Sequence, residues 1–224
     1  MAQLPLDLGF RPALGRDDFL VAPCNADAVA WIDRWPGWPS PALALWGAAG
    51  SGKSHLGEVW RARSGATAIA APALTTPTVP QNLGDATAVL LDDATHADEE
   101  ALLHLYNLVA ERQGHMLIVA REPPARWGIR LADLRSRLLA IPAVAVEPPD
   151  EALLGALLVK LFSDRQIKVA QDVIAYLLVH LDRSFAAAQD AVAVLDRAAL
   201  VRRRAVTVPL VREALGFNRR QDPD

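Results

Sequence analysis

Between about residues 40 and 147 the apolar positions come in short runs separated by polar segments. Ala42–Trp46, Ala66–Ala71, Ala88–Asp92, Met116–Ala120 and Ala143–Val146 are each four to six residues long. Runs of that length with little polar alternation read as strands buried on both faces. Asp98–Gln113 differs, because Leu102, Leu105, Leu108 and Val109 recur at helical spacing. His55–Trp60 also reads as the start of a helix, and the Pro/Thr-rich stretch Pro72–Pro80 reads as a loop. Strands alternating with helices predict an α/β domain built on a parallel five-stranded sheet with helices on both faces. After Pro148-Pro149 the spacing is helical only, over Asp150–Phe162, Gln171–Leu181, Ser184–Val201 and Val208–Leu215. Asp150 is placed to cap the first of these, and Pro209 falls in the first turn of the last. The expected organisation is an extended arm over 1–14, an α/β domain over 15–149, a small all-helical domain over 150–218 and a tail over 219–224.

Composition narrows the class. Hydrophobic residues make up 52% of the 224, enough for a sizeable core, so disorder is excluded. A formal net charge of −3 argues against strong direct DNA binding through bulk positive potential. Cys24 is the single cysteine, which rules out an internal disulfide and a cysteine zinc site, and it is expected to be a small buried hydrophobe. His96, His104, His115 and His180 show no metal-ligand clustering. Trp31, Trp35 and Trp38 read most simply as packing residues, with Trp35 or Trp38 bordering a base as the alternative, and Arg202-Arg203-Arg204 reads as a basic helix end in preference to a DNA contact. The first ten residues lack a secretory pattern and no run approaches a membrane span, so a soluble cytoplasmic protein is expected.

One segment carries specific chemistry. Gly47-Ala48-Ala49-Gly50-Ser51-Gly52-Lys53-Ser54 satisfies G-x-x-x-x-G-K-[ST], between the strand Ala42–Trp46 and the helix that begins near His55. The order matters physically. Gly47, Gly50 and Gly52 let backbone wrap a phosphate, while the helix N-terminus presents free N–H groups at Ser51–His55. Lys53 reaches the terminal phosphates, and the Ser54 hydroxyl ligates Mg²⁺. The run Ala88–Asp92 ends in the pair Asp92-Asp93. At the C-terminal edge of a parallel sheet that pair lies beside the phosphate loop. Asp92 then holds Mg²⁺ through water, and Asp93 is the candidate catalytic acid that orients or deprotonates an attacking water. Arg137, within Asp133–Leu138, is either an arginine finger acting on a phosphate or an ordinary solvated helix position.

These motifs together resemble the AAA+ ATPase core of the bacterial DnaA initiator family. The resemblance is carried by the phosphate loop followed by His55-Leu56, by Asp92-Asp93, by Pro123-Pro124 and by Leu134-Arg135-Ser136-Arg137-Leu138, and it spans roughly residues 15–217. It implies a P-loop AAA+ core followed by a helical lid, with ADP or ATP and Mg²⁺ as ligands. It also implies that Asp17–Val21, together with Asn25, forms the entry motif that packs on the adenine, with Phe19 and Val21 as contacts. The chain as given leaves no room after the lid for the initiator's helix-turn-helix domain. That truncated form is similar to regulatory members of the family that act with the DNA polymerase sliding clamp. Their docking peptide has the form Gln-Leu-x-Leu-x-Leu, which Gln3, Leu4, Leu6 and Leu8 match. An extended segment of this kind docks with limited ordering cost.

Two positions depart from the family pattern. Ala120-Arg121 stands where a short polar sensor follows the fourth strand, and Ala186 stands at the lid's sensor arginine, with Arg183 one turn earlier. Both argue for weak intrinsic hydrolysis. The resemblance therefore implies a regulator that docks on the clamp, holds a nucleotide and promotes hydrolysis of DnaA-bound ATP with Arg137 in trans. The alternative is a nucleotide-dependent adaptor that tethers a partner to the clamp or origin. Self-association is left open.

Overall fold

The apolar runs pair side by side into one sheet in the computed structural model, which describes residues 21–217. Its strands are β1 (Ala42–Trp46), β2 (Thr67–Ala70), β3 (Ala88–Asp92), β4 (His115–Ala120) and β5 (Ala143–Ala145). All pair in parallel, in the order β2-β3-β4-β1-β5. The predicted five-stranded α/β fold followed by a helical region is what the chain adopts. Gln3, Leu4, Leu6, Leu8 and Phe19 lie outside the described residues, so the arm and most of the adenine-contacting segment have no structural account.

Both faces of the sheet are covered because alternate residues of each strand go to opposite sides. Ala42 and Ala44, Val89 and Leu91, and Met116 and Ile118 face one core. Their cover is α3 (Val79–Leu83), α4 (Glu99–Glu111) and α5 (Ala132–Ala140), which contribute Val79, Leu83, Leu102, Leu105, Leu134 and Leu138. Leu43, Leu45, Leu90, Leu117 and Val119 face the other core, against α1 (Ala26–Asp33) and α2 (Lys53–Ser64). There Trp38 stacks on the fully buried Trp60 at 5.5 Å between ring centroids, and Trp35 meets Trp60 edge-on at 6.2 Å. The tryptophans near the start of the chain are thus packing residues of this layer.

Two expectations are corrected. Pro72–Pro80 is not simply a loop: it contains two 3₁₀ turns, at Ala71–Ala73 and Thr76–Thr78, and runs into α3. Proline is compatible with each first turn, where its missing N–H is not needed. Cys24 is half-buried rather than buried.

The chain divides into two compact units after Glu147. In the second unit are α6 (Glu151–Asp164), α7 (Gln171–His180), α8 (Phe185–Arg202) and α9 (Val208–Leu215). Asp150 caps α6 by accepting the Leu153 N–H at 2.7 Å, and Ser184 caps α8 by accepting the Ala187 N–H at 3.0 Å. Leu154, Leu158, Phe162, Val173, Leu177, Ala188, Val192, Leu195 and Val211 form the buried seam between these helices. Arg202, at the end of α8, pairs with Glu213 of α9, so one cation of the triple-arginine run is used inside the unit. Among the described residues, no helix is long and apolar enough to cross a membrane.

Candidate functional site

β1 leads directly into the glycine-rich loop, and α2 starts at Lys53. Gly47 has to be glycine, because a Cβ there would sit 2.2 Å from the Val146 carbonyl oxygen. Gly52 is the N-cap of α2 at φ 101°, and no side chain caps the helix. With no side-chain cap, the start of α2 has backbone N–H groups that the helix itself does not satisfy, the setting that favours an anion.

An open cleft of about 280 Å³ lies over that loop. It is lined by Gly50, Lys53, Ser54, Asp92, Asp93 and Arg121. The sheet order brings them together: β4 separates β3, which ends at Asp92, from β1, which feeds the loop. Lys53 is nearly buried, and its ammonium donates to the Ala48 carbonyl at 2.5 Å and to Ser51 Oγ at 3.3 Å. Both acceptors are neutral. Burial pushes the Lys53 pKa below the ordinary lysine value; the Asp92 carboxylate partly opposes this and the Arg121 guanidinium adds to it. A desolvated cation with only neutral acceptors in contact is a setting that a phosphate relieves.

The acids are not equivalent. Asp92 Oδ1 accepts the Asp93 N–H at 2.8 Å. Asp93 adopts left-handed backbone at φ 56°, a conformation aspartate tolerates better than most residues and one that recurs at functional sites. His96 Nδ1 lies 3.0 Å from Asp93 Oδ1. Its i,i+3 spacing brings the two side chains within reach on one short turn. Ser54 stands exposed in the first turn of α2. Among the described residues no group of three or more His, Cys, Asp or Glu could by itself hold a metal ion. An exposed hydroxyl and one carboxylate instead suit Mg²⁺ that arrives with phosphate oxygens completing its shell. The donor set therefore fits Mg²⁺–nucleotide, with Ser54 and Asp92 as the protein's oxygens.

Of the other predicted site residues, His55 is exposed in the first turn of α2, and Val21 is half-buried ahead of α1. Arg137, on α5, is not presented free. Its Nε and one terminal nitrogen donate to the two Asp133 oxygens at 3.0 and 3.2 Å, and its guanidinium lies 5.7 Å from the Tyr106 ring centroid. α5 itself is entered through Glu99 of α4, which accepts the N–H groups of Arg130 at 3.1 Å and Leu131 at 2.8 Å. Those two backbone donors hold the Glu99 carboxyl below the usual carboxylate range. In the second unit, Arg183 pairs with Glu151 at 3.5 Å, and Ala186 falls in the first turn of α8.

Comparison with known proteins places both parts. Residues 151–215 match the sequence family described as Hda, lid domain. Domain III of the Thermotoga maritima replication initiation protein DnaA aligns over 89% of this chain and 94% of its own length, at 17% identity and a TM-score of 0.72. AMPPCP-bound DnaA from Aquifex aeolicus aligns over 79% of this chain but 63% of its own, at 17% identity and a TM-score of 0.64. The Thermotoga maritima RuvB Holliday junction branch migration motor aligns over 87% and 66%, at 14% identity and a TM-score of 0.68. At these identities the structural likeness shows a shared fold.

Proposed function

We propose that the chain is a DnaA-related AAA+ protein with an Hda-type lid, and that it is a nucleotide-binding regulator of replication initiation that inactivates DnaA. The observation that carries this reading is the match of residues 151–215 to the Hda lid, in a chain whose first unit holds a phosphate-type cleft. In this reading ADP or ATP sits with its phosphates over Gly47–Ser54, and Lys53 answers their charge. Ser54 and Asp92 hold Mg²⁺, and Asp93 orients water. Phe19 and Val21 border the base. Gln3, Leu4, Leu6 and Leu8 dock the chain on the sliding clamp. Arg137 then enters the nucleotide site of a neighbouring DnaA and stabilises charge on the transferring phosphate.

The Arg137–Asp133 pair does not forbid that role. The two side chains are 38% and 57% exposed, and an exposed i,i+4 pair of this kind contributes only about 0.3–0.5 kcal/mol. A developing phosphate charge in a water-poor interface outcompetes it. The pairing nonetheless favours a second reading, an adaptor that tethers a partner without stimulating hydrolysis. Hydrolysis of DnaA-bound ATP, followed with and without this chain and clamp-loaded DNA, separates the two. The first reading expects faster hydrolysis only when chain and clamp are both present. An unchanged rate leaves only the adaptor. Replacing Gln3 and Leu4 by alanine is expected to abolish retention on immobilised clamp, and undiminished retention removes the clamp from the scheme.

A further inference from the structure

β4 is the central strand between the two halves of the cleft. Its last residue, Ala120, is the register partner of Trp46, and its carbonyl accepts the Gly47 N–H at 3.3 Å. The next residue is Arg121, so its position is fixed by the same strand end that anchors the phosphate loop. Arg121 lines the cleft with Lys53, Ser54, Asp92 and Asp93. It makes no hydrogen bond or ion pair with any described residue, whereas Arg137, Arg183 and Arg202 are each held by a carboxylate. It is also near enough to Lys53 to help hold the lysine below its ordinary range. Asp92 and Asp93 line the same cleft, and the Asp92 carboxylate already offsets part of the cost at Lys53, but Arg121 forms an ion pair with neither, so an anion held between the two cations is still favoured.

We infer that Arg121 is a second fixed cation for the phosphate tail of the bound nucleotide, supplying part of the charge neutralisation that otherwise falls to Mg²⁺. The inference rests on the nucleotide-binding reading above. A guanidinium suits the task better than an ammonium, because its planar fork offers parallel N–H donors to two phosphate oxygens and keeps its charge at any working pH. Because the effect is Coulombic, the triphosphate, with its larger charge, depends on Arg121 more than the diphosphate does. It also follows that nucleotide binding in this chain tolerates removal of the metal.

The test is a set of titrations of the full chain with ATP and with ADP, in Mg²⁺ and in excess EDTA, for wild type, Arg121→Gln and Arg121→Lys. The wild type is expected to hold ATP in EDTA within about tenfold of its Mg²⁺ affinity. Arg121→Gln is expected to lose about a further tenfold for ATP in EDTA, the scale of one charged hydrogen-bonding group, with a smaller loss for ADP and in Mg²⁺. Arg121→Lys should recover part of the loss. Arg121 is exposed, so these variants are expected to fold, and their thermal melts check it. An Arg121→Gln protein that titrates like wild type in all four conditions overturns the inference and leaves the nucleotide reading standing. A wild-type chain that binds neither nucleotide in any condition overturns both.

Discussion

Lys53 is where the chemistry of the site concentrates. Its ammonium is nearly buried, contacts only neutral oxygens and is held below the ordinary lysine pKa by desolvation. Removing it takes away the cation that the loop is built around while leaving the backbone donors of α2. Lys53→Ala is therefore expected to weaken nucleotide binding about 10- to 100-fold, the worth of one strong charged hydrogen bond, with little change in secondary structure. Equilibrium titration with a fluorescent adenine nucleotide reads this directly, and unchanged affinity would remove Lys53 from the site. The glycine-lysine run was legible in the sequence because all its parts are contiguous. The interactions around it were less so. Asp93 with His96 and Arg137 with Asp133 stand at i,i+3 and i,i+4, spacing that permits a contact without requiring it.

At the scale of elements, the most consequential contact joins residues more than thirty positions apart. Glu99 of α4 accepts the N–H groups of Arg130 and Leu131 and so secures the start of α5, the helix that carries Arg137. Leu131, the N-cap of α5, offers no capping side chain of its own. The Glu99 carboxyl is depressed in the fold, so its contribution is complete above its unfolded pKa and is lost as pH falls through the lower, folded one. Glu99→Gln should flatten that acid limb of the stability curve, and denaturant titrations at a series of pH values below neutrality check it. No periodicity in the chain could reveal this contact, since it depends on how α4 and α5 pack. Helix caps are the opposite case. Asp150 and Ser184 were each legible from the residue before a helical pattern, and each accepts the backbone N–H three residues on. Asp150→Ala should cost about 1 kcal/mol, seen as a lower denaturation midpoint for the second unit. What the pattern missed is short: α1 buries only Ala28 and Ile32, and α3 is five residues with Pro80 in its first turn. Neither is long enough to display a period.

For the whole molecule, the parallel sheet was readable because burial on both faces removes polar alternation, leaving five apolar runs with helical segments among them. The order β2-β3-β4-β1-β5 then does the functional work of setting Asp92, Arg121 and the glycine loop along one edge. Residues 151–215, in the second unit, match the Hda lid domain. Under the proposed function the chain is a latch, with its nucleotide held by Lys53, Arg121 and Mg²⁺ while Arg137 works on a partner's phosphate. The central claim is that last step, and hydrolysis of DnaA-bound ATP in the presence of clamp-loaded DNA tests it most directly when wild type and Arg137→Ala are run in parallel. The account predicts that wild type accelerates hydrolysis, and that Arg137→Ala binds nucleotide and clamp normally while losing at least about 10-fold of the acceleration, given that an arginine finger is worth 10³–10⁵ where it is complete. Full acceleration by Arg137→Ala would contradict it.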